Sequence, residues 1–166
     1  GNRSYSGLYS TGVMASGDII FFNKWKKAQE DGSLSSTPVD FDTDTIKVAV
    51  MAATYTPDGG DASAQQYWGD ISANQVALAA AYTGPITVGA KTVTLSAGVV
   101  VVDGGDIVIA QDAAGFTNGR WVVFFKDSGV AGTSPLMWYG DLGSNRSIVT
   151  GSLTFAWAAT GIIRKT

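Results

Sequence analysis

The chain has 166 residues, 45% hydrophobic and only 15% charged, with a net charge of −3 and neither cysteine nor histidine. That length suits one domain with a real core. The charge shortage, against a usual share of about 25%, excludes a disordered acidic chain and suggests a surface partly covered by a neighbour. Disulfides, thiolate metal sites and a Ser-His-Asp triad are excluded outright.

Binding nucleic acid through its phosphates needs a clustered basic footprint. The longest basic run is "KWKK" at residues 24–27, which reads as the solvated face of a helix. No apolar run approaches the roughly 18 to 20 residues of a membrane span, and no signal peptide opens the chain. We therefore expect a soluble chain, or one assembled into something soluble. Thirteen of the 14 acidic residues are Asp, and there are 21 glycines. Asp and Gly favour turns and caps over helix interiors, so many short strands joined by turns are expected.

Residues 1–17 are rich in Gly and Ser and show no period. They read either as a disordered terminus or as an extended N-terminal arm that orders only against a partner, with Arg3, Tyr5, Leu8 and Tyr9 as interface candidates. Residues 18–166 read as a single domain. Its best helix is "FFNKWKKAQEDG" (residues 21–32), with Asn23 as cap, Phe22, Trp25 and Gln29 on one face, and Gly32 as stop. "TIKVAVMAATY" (45–55) alternates as a strand. One helical turn is expected near 62–67, and "QVALAAAY" (75–82) leans towards strand although alanine blurs its period.

From Ile86 onward the pattern is almost wholly β. "KTVTLS" (91–96) alternates, with Val93 and Leu95 expected to face inward. "RWVVFFK" (120–126) is apolar on both faces, as in a buried central strand. "SLTFAWA" (152–158) sets Leu153, Phe155 and Trp157 on one side, and "GIIRK" (161–165) closes the sheet. Strands spaced by turns every ten or so residues make the fold mainly β: an antiparallel sandwich or partly open barrel with one short N-terminal helix.

Chemistry is harder to find. "DGGD" occurs at residues 58–61 and again at 103–106. In the second copy Gly104 and Gly105 are expected at the centre of a type I′ hairpin, with Asp103 and Asp106 facing across its last rung. Two carboxylates fall short of the six to eight oxygens that calcium takes. "VDFDTD" (39–44) spaces three aspartates like a calcium loop, but Thr45 and Met51 stand where the loop needs Gly and Glu. Asp127-Ser128-Gly129 is the aspartic-protease triplet, yet the chemistry needs two such aspartates, so a homodimer would have to supply the second. No catalytic residue, metal ligand or cofactor is assigned. Tyr67 and Trp68, in a polar loop, are the aromatic pair most open to an interface or to stacking on sugar.

Several segments occur together and in order: "NKWKKAQEDG", "DTIKVAVM", "YTPD", "DISANQVA" with "AYTG", "VVDGGDIVIA", "VVFFKDSG" and "SPLMWYGDLG". With this set the chain resembles, from Asn23 to about Trp157, a family of small β-rich accessory virion proteins of tailed bacteriophages. The resemblance implies a non-enzymatic structural role on head or tail and brings no catalytic residues. Residues 1–22 form a longer extension than is usual there, and the loop "SLSSTPVDFDTD" (33–44) is also long. The implied function is capsid decoration on the head exterior, with the major capsid protein or copies of itself as partners and no direct contact with nucleic acid or membrane. A tail- or fibre-associated module that binds host glycan through Tyr67 and Trp68, or a tail-tube or connector component, is the alternative.

Overall fold

The computed structural model describes residues 4–5, 8–10, 13–17, 19–158 and 161–165, with 4–17 given as backbone only. In chain order the first elements are β1 (Ser4–Tyr5), β2 (Leu8–Ser10), β3 (Val13–Gly17), β4 (Ile20–Phe21) and helix α1 (Asn23–Asp31). Next come β5 (Ile46–Ala52), the short helix α2 (Trp68–Ile71), β6 (Ile86–Thr87), β7 (Thr92–Ser96), β8 (Val99–Asp103) and β9 (Ile107–Ile109). The last are β10 (Gly119–Lys126), β11 (Leu136–Arg146), β12 (Leu153–Trp157) and β13 (Ile163–Lys165). The fold is mainly β, with antiparallel pairing in open sheets, as the alternation and turn spacing imply.

The central sheet runs β4-β11-β10-β5-β6. β10 lies between β11 and β5, with Phe124 opposite both Trp138 and Val48. Its run of Val122, Val123, Phe124 and Phe125 is almost wholly buried, because both faces of the strand are covered. On one face Phe124 meets Trp138 and Trp157 at 5.4 Å each. On the other, Phe125 stacks on Trp68 of α2 with centroids 4.7 Å apart and planes 3° from parallel.

Two smaller sheets complete the body, one ordered β1-β13-β8-β7 and the other β3-β2-β12-β9. Strands β1 and β2 therefore pair with late strands of their own chain: Tyr5 opposite Arg164, Tyr9 opposite Ala156 and Leu8 opposite Trp157. Arg3 lies outside the described residues. One contiguous core joins Val102 and Ile163, Ile109 and Phe155, and the central sheet.

Helix α1 buries Trp25 and Ala28, the face its spacing marks. Gly32 ends it with a left-handed φ of 67°, its N–H donating to the Ala28 carbonyl. The N-cap is Phe22, not Asn23. Asn23 instead uses its side-chain amide to reach Asp61 at 2.7 Å, fixing the loop beside the helix. The second helical turn starts at Trp68, just past the expected 62–67. Asp70 closes it by accepting from the backbone N–H groups of Gln66 and Tyr67.

Three further expectations are corrected. Residues 75–82 are not a strand; they form isolated bridges from Gln75 to Met51 and from Ala79 to Tyr82. The Tyr82 hydroxyl accepts from Val50 N–H at 3.0 Å, serving the β5 backbone where a strand would have done so. Burial pushes that phenol up to about 12.

The second "DGGD" is not a hairpin. β8 and β9 belong to different sheets, so residues 104–106 carry the chain across from one to the other. Neither glycine there has a positive φ. Gly104 is required by close approach instead: a Cβ would lie 2.7 Å from Val88 Cγ1. Gly105 donates to the Gly89 carbonyl and accepts from Trp157 Nε1 at 2.9 Å. The tight hairpin lies earlier, between β7 and β8, where Ala97 and Gly98 take φ of 49° and 77°.

Finally, Leu95 is not inward. It is 73% exposed and Val93 is 41% exposed.

Candidate interaction surfaces

Each aspartate group singled out by the sequence is engaged in turn-making or ion pairing. Asp127 accepts from Gly129 N–H at 2.9 Å and pairs with Lys47 at 2.7 Å. The lysine holds its carboxyl below the ordinary carboxylate range. Ser128 is occupied by Ser134, Thr133 and the Val130 carbonyl. This is a turn knitted to its neighbours, with no second triplet beside it.

In the first "DGGD" copy, Asp58 accepts from Gly60 N–H and Asp61 holds Asn23. In "VDFDTD" the chain bends on itself through Asp44 N–H to the Asp40 carbonyl. Asp44 pairs with Lys126 at 3.0 Å. The neighbouring carboxyls of Asp40 and Asp42 act on each other, holding the first below the ordinary carboxylate range and the second above it.

Tyr67 and Trp68 are neighbours in the chain but work as structure. Tyr67 accepts from Ser35 N–H at 2.9 Å, tying the long 33–44 loop to the start of α2. Trp68 lays one ring face flat on Phe125, so at most one face remains for anything else. Both are half-buried. Stacking on sugar needs an open ring face, and Trp68 has at most one to offer.

A cavity of about 460 Å³ lies between α1, the 39–42 loop and the β7-β8 hairpin. Trp25, Phe41 and Trp138 wall one side, and Val93, Val100 and Val102 the other, with Asp40 and Asp42 among its lining residues. Trp138 is the hub of these rings, within 5.8 Å of Phe21, Trp25, Phe41 and Phe124. The indole N–H groups of Trp25 and Trp138 are buried without an oxygen or nitrogen acceptor. Those two rings meet at 78°, edge to face, the setting in which an indole N–H finds a weak π acceptor.

The surface feature the sequence left unmarked is the placement of exposed apolar side chains. Ile20 (48%) sits on edge strand β4, Val93 and Leu95 on edge strand β7, and Val108 (64%) on edge strand β9. All three sheets therefore end in an edge that carries exposed aliphatic residues. A free edge is normally guarded by charge, proline or a bulge. For β7 the signal in the sequence was uncharged alternation, but which strand lies at an edge is decided only by the tertiary pairing. No described helix is long and apolar enough to cross a membrane. Comparison with family models, curated proteins and solved structures returns no match.

Proposed function

We propose that this chain is a non-enzymatic structural protein of a phage particle, decorating the head by adhering to major capsid subunits or to copies of itself. The observation that carries this reading is the exposed aliphatic edge on each sheet, an arrangement suited to adhesion in several directions. The resemblance carried by the ordered set of segments from Asn23 to Trp157 supports the phage setting. The mechanism is mechanical: apolar surface is removed from water at each contact, at about 25 cal/mol per Å², and a lattice of copies lets modest contacts hold.

The reading is tested by mass spectrometry of purified particles followed by imaging with a labelled antibody. Density on the head exterior is the expected result. Labelling confined to tails, or absence from the particle, would overturn it. A glycan array addresses the alternative, and the decoration reading expects no saccharide-dependent binding.

A further inference from the structure

The strand "TVTLS" of β7 alternates cleanly, yet all five of its residues are exposed. One of its edges pairs with β8 and the other ends the sheet. The two-residue loop Ala97-Gly98 closes on the pair Ser96–Val99. Hydrogen-bonded pairs then alternate along the hairpin at Ser96–Val99, Thr94–Val101 and Thr92–Asp103, and Val93 and Leu95 turn their N–H and C=O groups outward. Among the described residues no strand pairs with those groups, and no charge, proline or bulge protects them within Thr92–Ser96.

The face of the hairpin that carries Val93 and Leu95 also carries their partners Val102 and Val100. Exposure grows across this apolar ladder, from 8% at Val102 to 41% at Val93. The ladder stops in water where a further strand would continue it.

We propose that β7 pairs antiparallel with β7 of a second copy about a two-fold axis at Thr94. In that register Thr94 meets its own counterpart, Val93 meets Leu95 of the other copy, and Thr92 meets its Ser96. Hydroxyl faces hydroxyl and aliphatic faces aliphatic, so the edge is its own chemical complement. The outward groups of Val93 and Leu95 exchange roughly four backbone hydrogen bonds with the other copy. The apolar ladder becomes Val102, Val93, Leu95 and Val100, the last two from the second copy, and it is closed at both ends. Lys91 falls opposite Ala97, so no like charges meet. This pairing concerns the isolated chain and stands or falls independently of any role in a particle.

The absence of cysteine makes the register directly readable. The isolated wild-type protein is expected to sediment at twice the monomer mass at micromolar concentration. Leu95→Lys is expected to return it to the monomer with an unchanged circular dichroism spectrum. Thr94→Cys is expected to form a disulfide with itself under mild oxidation. Thr92→Cys should not, but should do so when mixed with Ser96→Cys. A wild-type monomer across the micromolar range overturns the proposal. So does a dimer that survives Leu95→Lys, or crosslinking with no preference for position 94 over an exposed control such as Ser33→Cys.

Discussion

Strands β5 and β7 have much the same pattern and opposite fates. "IKVAVMA" and "TVTLS" both alternate β-branched or apolar residues with small or polar ones. In β5 six of seven residues are buried and Lys47 is half-buried; in β7 every residue is exposed. The difference lies in what covers each strand. β5 has β10 on one side, β6, Val76 and the Tyr82 hydroxyl on the other, and packed layers on both faces. β7 has β8 on one side and nothing described on the other. Alternation thus specifies which residues share a face, and the arrangement of the remaining chain specifies whether that face is wet.

The sharpest way to break this contrast is to remove the centre of the buried half. Trp138→Ala takes away the ring on which Phe21, Trp25, Phe41 and Phe124 converge, and leaves space beside an existing cavity. The expected loss is about 3–5 kcal/mol, measured by urea denaturation; a loss under about 1 kcal/mol would show that the aromatic hub is not what holds the layers together.

Gly104→Ala comes next. It places a methyl group 2.7 Å from Val88 Cγ1, at an expected cost of about 1–3 kcal/mol from overpacking. A turn glycine of ordinary negative φ with open space around it would tolerate the change.

Asp127→Asn is smaller. The Lys47 ammonium and the Gly129 N–H depress the folded carboxyl's pKa, so its contribution is complete above the unfolded value of about 3.9 and is lost as pH falls through the folded one. The variant should lose about 0.5–1 kcal/mol at neutral pH. It should also show a flatter decline in stability than wild type below about pH 4. Parallel acid curves for the two proteins would remove Asp127 from the linkage.

Smallest of all, Leu95→Lys should change the stability of the monomer by less than about 0.5 kcal/mol, read on dilute protein. A large loss would mean that Leu95 is covered within one chain and would erase the contrast between the strands.

The sequence made the elements with unambiguous periods legible. β10 was readable as central because a doubly apolar run with charge only at its ends has no other home. β12 was readable because Leu153, Phe155 and Trp157 alternate without a break, and all three are buried. Residues 75–82 were not readable, since alanine fits either period and the segment is held by Tyr82, a side chain acting in place of a strand. "DGGD" at 103–106 misled because glycine marks both positive φ and close approach, and only the position of Val88 separates the two. β7 and β9 were legible as strands but not as edges, and β4 was not legible at all, because Phe21 reads as the start of the helix. Tyr67 and Trp68 read as the aromatic pair most open to a partner; both are half-buried, because Ser35 and Phe125, which occupy them, lie far away in the chain.

The pairing of β12 with both β2 and β9, and of β13 with both β1 and β8, has a kinetic consequence. Each of these late strands is the seam between an early segment and a middle one. Two of the three sheets stay open until residues 153–165 have been synthesised, and only the central sheet can assemble before then. With closures between segments as far apart as Tyr5 and Arg164, folding of these two sheets is slow. Until it is over, the half-made sheets offer their unpaired rims to whatever strand is nearby.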